Sequence, residues 1–280
     1  MADRGGLARD LRLAAAQVRY QNRLFWRTPI AALFTVAFPL MFLVLFNVLF
    51  GSESSIEIPG GRTLTVSQFY APSLAVFTVA SATYTNLAVR TAIARDDGVL
   101  KRFRGSPLPT WAYMAGRVVS AVWIALLGVV VMLAVAASFF GLEITAATLP
   151  AAALAFVVGA AAFAALGLAV AALAPTAEAA PAIANFTILP LAFVSDVFIS
   201  IADPPEWLDA LGDLFPLKPF VQAFQAPFSP FVEPPAFRWG ALAVVAVWGV
   251  AGVVLAARFF AWEPRRSGSA PRRMPRGAAR

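Results

Sequence analysis

Residues 149–173 read LPAAALAFVVGAAAFAALGLAVAAL, 25 residues without one charged side chain. At 1.5 Å of rise per residue a helix of that length spans about 37 Å, more than the roughly 30 Å of a bilayer's hydrocarbon core. A helix on a soluble surface keeps a polar face, and this one has no residues to build it, so lipid must be its solvent. Working outward, five more apolar stretches of spanning length appear: residues 30–50 with Pro39 as an expected kink, 70–93, 117–140, 179–201 interrupted by Pro190, and 239–262. The fold expected is therefore all-α and integral to the membrane, with six transmembrane helices.

Composition agrees. Of 280 residues, 60% are apolar or aromatic and 13% are charged, where a soluble domain carries about 25% charge. There is no cysteine and no histidine. Disulfides, cysteine nucleophiles, thiolate or imidazole zinc sites and histidine-based triads are excluded with them. The net charge of +7 would suggest nucleic acid in a soluble protein. Here the basic residues flank the apolar stretches, which is how a chain is oriented in a bilayer, so no nucleic-acid partner is expected.

Placing the N-terminus in the cytoplasm and alternating sides puts 19 Lys and Arg inside and leaves only Arg62, Lys218 and Arg238 outside. That asymmetry predicts both ends cytoplasmic and a bacterial-type cell membrane as the location. The first apolar run is too long for a signal h-region and is expected to stay as an anchor. Residues 7–27 precede it. Leu7, Leu11, Ala14, Val18 and Phe25 fall on one helical face, and Arg9, Arg12, Arg19, Arg23 and Arg27 on another, the pattern of an amphipathic interfacial helix. Residues 1–263 read as a single membrane domain, and 264–280 as a basic, disordered cytoplasmic tail.

Polar groups at lipid depth are few. Thr78, Ser81 and Thr85 share a helical face, and Asn185 and Asp196 lie about three turns apart on the fifth stretch. Such groups either line a pathway through the bundle or hydrogen-bond between helices. In the fourth stretch Gly159, Ala160, Ala164, Gly167 and Ala171 allow close helix approach, although an alanine-rich composition alone produces the same pattern. Between the fifth and sixth stretches, Trp207, Leu208, Leu211, Leu214 and Phe215 recur at helical spacing, with Pro216 and Pro219 expected to break that helix at the outer surface.

Energy must come from elsewhere. Both lysines lack the P-loop context, Lys101 being followed by Arg102 and Lys218 by Pro219, and GxSxG and HExxH are absent too. The chain is not expected to be an enzyme. The connection between the second and third stretches carries Arg95, Asp96, Asp97, Gly98, Val99, Leu100, Lys101, Arg102, Phe103, Arg104, Gly105, Ser106, Pro107 and Leu108. Val99, Leu100 and Phe103 make a small apolar face amid charge. By itself this is either a docking element or a solvated loop that enforces orientation.

This connection resembles that of type-2 membrane subunits of ATP-binding cassette exporters: Gly98-x-Leu100, then Ser106-Pro107-Leu108, with Asp97 where the family often has glutamate. Arg27-Thr28-Pro29 is similar to the family's entry to its first span. Residues 190–198 with Phe193, then 205–208 and 215–217, resemble its fifth span and outer loop, Asp196 standing where the family usually has glycine. The resemblance implies that Asp96 to Arg104 and Pro107 form the element that couples to an ATPase. It implies short re-entrant outer helices, a second permease subunit (identical or related), and no cofactor on this chain. ATP and Mg are expected on the separate P-loop ATPase. The substrate expected is a drug, natural product or lipid of hydrophobic or amphipathic character. The rival readings are a non-transporting membrane scaffold or assembly factor, or a proton-coupled carrier using Asp196.

Overall fold

The computed structural model describes residues 4–51, 54–58, 61–104, 110–199 and 204–260. The expected coupling residue Pro107 and the tail at 264–280 lie outside them, as do the side chains of Lys101, Phe103 and Arg104. The architecture is a bundle of α-helices with one small hairpin.

Helix α1 (Arg4–Trp26) is the expected amphipathic helix, but its inner face is partly polar. Gln21 and Phe25 are buried on it, and Asn22 accepts a hydrogen bond from Ser120 Oγ. Tyr20, Leu24 and Trp26 stay exposed beside the arginines, a mixture suited to a membrane interface. After Thr28, Pro29 opens α2 (Pro29–Ala32), which passes through a π turn (Leu33–Ala37) into α3 (Phe38–Phe50). Pro39 has no N–H and its ring would meet the carbonyl four residues back. The widened turn directly before it accommodates the ring, so the expected kink takes the form of a π turn.

Strands β1 (Ser55–Ile58) and β2 (Arg62–Thr65) form an antiparallel hairpin. Thr65 then caps α4 (Val66–Ala80): its side chain accepts from the Gln68 N–H, and Gln68 Oε1 accepts from the Thr65 N–H, a reciprocal capping box. Through a π turn (Ser81–Thr85) α4 continues into α5 (Asn86–Asp96). This second apolar stretch is the centre of the bundle, with nearly every residue of α4 buried.

Asp97 caps α5, Gly98 takes a left-handed φ of 68°, and α6 (Val99–Arg104) follows. Helix α7 (Thr110–Phe139) starts seven residues before the expected third span, because Ala112 and Tyr113 pack inward and continue the helix. Helix α8 (Leu149–Leu173) coincides with the quoted stretch. Its small residues are there for contact. A Cβ on Gly159 would lie 2.2 Å from the Phe220 ring, and one on Gly167 would lie 2.7 Å from the Tyr84 carbonyl oxygen.

Helix α9 (Ala179–Val194) runs through Pro190 without a break but stops well before residue 201. The chain turns at Asp196, whose φ is 55°, the left-handed region that glycine enters freely and Asp tolerates better than most residues. The glycine-for-aspartate exchange noted in the sequence thus falls on a position with a glycine-like backbone. Asp196→Gly is expected to leave stability within about 1 kcal/mol, and Asp196→Val to cost roughly 1–2 kcal/mol or more. Thermal unfolding of the two purified variants checks this; equal midpoints would refute it.

Helix α10 (Glu206–Leu214) forms where the helical spacing of Trp207, Leu208, Leu211 and Leu214 predicts one. Pro216 ends it and caps α11 (Leu217–Gln225), while Pro219 lies in the first turn of α11 rather than breaking anything, a position where a missing N–H is harmless. Leu217, Phe220, Val221 and Phe224 are buried, so α11 sits inside the bundle. A 3₁₀ turn (Ala226–Phe228) and a loop lead to α12 (Trp239–Phe259), packed along α8. By length and apolarity Trp111–Phe139, Leu149–Leu173 and Trp239–Phe259 are able to cross a membrane, with Thr35–Phe50 and Ala179–Val194 shorter.

Candidate functional site

A cavity of about 600 Å³ opens between α3 and α9. One wall is a column of phenylalanines four residues apart, Phe38, Phe42, Phe46 and Phe50, which stack along a single face of α3 because i and i+4 side chains overlie one another. Phe38 and Phe42 have ring centroids 4.9 Å apart, and Phe42 and Phe46 5.4 Å. Tyr70 from α4 adds a ring 4.4 Å from Phe46. Leu189, Phe193 and Phe198 close the opposite side, with Phe198 5.6 Å from Phe42 and 5.4 Å from Phe193. Among the described residues the hydroxyl-bearing side chains on the lining are Ser54, Ser55 and Tyr70. Such a surface takes up flat apolar or amphipathic molecules by ring contact and water release.

Of the expected pathway residues, only Phe193 lines this cleft. Thr78 is fully buried and donates to the Leu74 carbonyl at 2.9 Å, with Gly128 of α7 against its methyl. Ser81 and Thr85 fall in the π turn, where the Asn86 N–H reaches back to the Ser81 carbonyl. Asn185 is exposed on the outside of α9. Asp196 is separated from it, because the helix that would have aligned them ends at Val194. Instead Asp196 lies on a second, polar cavity of about 410 Å³ with Asp209, Lys218, Gln222, Gln225 and Arg238. There Lys218, itself buried, pairs with Asp209 and stands 3.8 Å from Asp213. This places the one candidate proton carrier beyond the end of its helix rather than within it. The phenylalanine column was missed although its signal, Phe at every fourth residue, is plain in the sequence.

The two π turns are linked. Asn86 Nδ2 donates to Thr35 Oγ1 at 2.7 Å, and Tyr84, in the turn itself, pairs its hydroxyl with Thr187 of α9. The helices around the cleft are thus tied at the level where both are locally widened.

At the other end of α5, Arg95 is buried and donates from Nη1 to the Ala171 carbonyl at 2.8 Å and from Nε to Asp96 Oδ1 at 2.9 Å. Asp96 Oδ2 in turn accepts from the Ala177 backbone N–H at 2.6 Å. Asp96, expected to face a partner, is therefore an internal staple that holds α5 to the end of α8 and the connection into α9. Leu100 is likewise fully buried and anchors α6, and among the described side chains Asp97 and Arg102 are exposed around it.

The description "ABC-2 type transporter" belongs to a family model that matches residues 13–228. The chain is also similar to the daunorubicin resistance ABC transporter permease protein DrrB1 of Streptomyces coeruleorubidus. The two are 30% identical over 201 residues, 69% of this chain and 67% of that protein. With its helical bundle, apolar membrane-length helices and a match over most of its length, the chain belongs to the ABC-2 type transporter family and is a transmembrane permease subunit of an ABC exporter.

Proposed function

We propose that the cleft between α3 and α9 is this subunit's half of the export pathway, and that its substrate is a hydrophobic or amphipathic drug-like compound. The observation that carries the reading is the aromatic column Phe38, Phe42, Phe46 and Phe50 facing Phe193 and Phe198. The drug-resistance name of the relative supports a drug over a lipid. The six-span arrangement is supported by α3, the α4–α5 pair joined through its π turn, α7, α8, α9 and α12. Both ends are then cytoplasmic, residues 1–263 act as one domain with 264–280 as a basic tail, and α10 with the buried α11 closes the outer end. A second copy or a related chain supplies the other half. A separate P-loop ATPase, carrying ATP and Mg, engages Asp97, Arg102 and their neighbours up to Pro107.

Phe42→Ala and Phe46→Ala test the cleft. Each removes ring contacts of about 1 kcal/mol beyond plain area burial, roughly a fivefold loss of affinity, and the double variant is expected to lose more than tenfold. The measurement is the concentration dependence of ATP-driven daunorubicin uptake into inverted vesicles that hold the full transporter. A double variant with the parent's concentration dependence would remove the cleft from the pathway.

A further inference from the structure

A small crevice of about 30 Å³ lies where α1, α5 and α7 meet, lined among others by Gln21, Phe25, Arg90, Arg117 and Ser120. Two guanidinium groups face it. Arg90 sits 5.4 Å over the Phe25 ring. Arg117, only 6% exposed, donates from Nη1 to the Tyr113 hydroxyl at 2.6 Å, while its Nε is buried without an acceptor among the described residues. Among the described residues no carboxylate lines the crevice. Of its other polar groups, Ser120 donates to Asn22 and Asn86 to Thr35, and Gln21 is a neutral amide. Two like charges brought together out of bulk water repel and lose solvation, so the arrangement is incomplete unless an anion joins it. Arg90 lies six residues before the end of α5, about 9 Å along the helix, and α1 beside it carries interface-type residues. With α1 lying in the interface the crevice sits at the depth of lipid phosphates, and a guanidinium fork matches phosphate oxygens in pairs.

We propose that Arg90 and Arg117 bind a phosphate-ester oxyanion, supplied by the headgroup of an anionic lipid in the cytoplasmic leaflet, and so fasten α1 to α5 and α7. The crevice has room for phosphate oxygens only; the rest of the lipid stays in the leaflet along α1. Naming the leaflet rests on the orientation proposed above.

The test uses the full chain purified in a mild detergent, with its unfolding midpoint measured after adding phosphatidylglycerol or phosphatidylcholine. Phosphatidylglycerol at saturating concentration is expected to raise the midpoint by about 5 °C over phosphatidylcholine. Arg90→Gln and Arg117→Gln are each expected to lose that difference, and Arg12→Gln, on the exposed side of α1, to keep it. Comparing the two lipids within each variant removes any general loss of stability, and Arg90→Gln carries the test if Arg117→Gln does not fold. An undiminished difference in Arg90→Gln, or equal midpoints in the two lipids, would overturn the site. The same rise with inorganic phosphate in lipid-free detergent would overturn the lipid as its source. Orientation is read separately: Asp97→Cys in this cysteine-free chain should react with an impermeant maleimide only from the cytoplasmic side. Labelling from the outside would overturn the leaflet named while leaving the midpoint result to stand or fall by itself.

Discussion

Reversing Asp97 and Arg102 together, to Lys and Glu, is expected to abolish ATP-driven export while the chain still folds and inserts. Both side chains are exposed around α6, whose seat on the bundle is made by other residues. Leu100 is fully buried beneath it, and the turn before it bends at Gly98. Behind that turn, Arg95 and Asp96 tie α5 to the Ala171 carbonyl and the Ala177 N–H. A push on α6 would therefore pass directly into α5, and from α5 through the π turn to the helices around the aromatic cleft. Charge complementarity at a contact of this kind sets partner choice, and like charges placed opposite one another cost several kcal/mol, a loss of more than a hundredfold in affinity. The readouts are vesicle transport and the amount of ATPase subunit that co-purifies. Arg95→Ala is the contrasting variant: it leaves the exposed charges alone and removes the staple, at roughly 2–3 kcal/mol for a charge-assisted bond and an abandoned buried carbonyl. It should lower the unfolding midpoint, which the double reversal should not. Full transport and normal ATPase recovery in the double reversal would dismiss α6 as the coupling element.

Gly167→Val is expected to have the largest effect on the fold itself. The backbone of α8 passes so near the π turn that a Cβ at Gly167 would stand 2.7 Å from the Tyr84 carbonyl oxygen and 2.8 Å from that of Thr83. These are main-chain atoms of the π turn between α4 and α5, so they cannot swing aside as a side chain would. Overpacking of a core costs about 1–3 kcal/mol when neighbours adjust, and here at least the upper figure is expected, with most of the protein lost to aggregation on extraction. Gly240→Ala is the companion control, since nothing lies within 4 Å of a Cβ there; it should be neutral or stabilising by up to about 1 kcal/mol. Monodisperse yield and thermal midpoint in detergent measure both. A Gly167→Val protein that melts like the parent would mean that α8 and the π turn are not in contact as described.

The difference between these two positions marks where reading the chain stops. Small residues along 159–171 announced a helix suited to close packing, but alanine abundance gives the same letters. Only the approach of the Thr83 and Tyr84 carbonyls separates Gly167 from a glycine that is merely small. Thr78, Ser81 and Thr85 share a face by periodicity, yet a hydroxyl satisfies itself on the carbonyl four residues back as readily as it lines a pathway. Thr78 does so with Leu74. The resemblance puts Asp96 in the coupling element, and nothing local shows that its carboxylate meets the Ala177 N–H, which is remote from it in the chain.

The amino-acid sequence by itself determined that this protein is a helical membrane chain of the ABC-2 type, because uncharged stretches of such length admit no other solvent and the Gly98-x-Leu100 connection with its flanking motifs is local. The tertiary structure decided what those helices hold between them. Where α9 stops, which way Asp196 turns, which phenylalanines share a cleft and which charges are fastened inside all depend on neighbours far away in the chain, and hydrophobic periodicity carries no record of those neighbours.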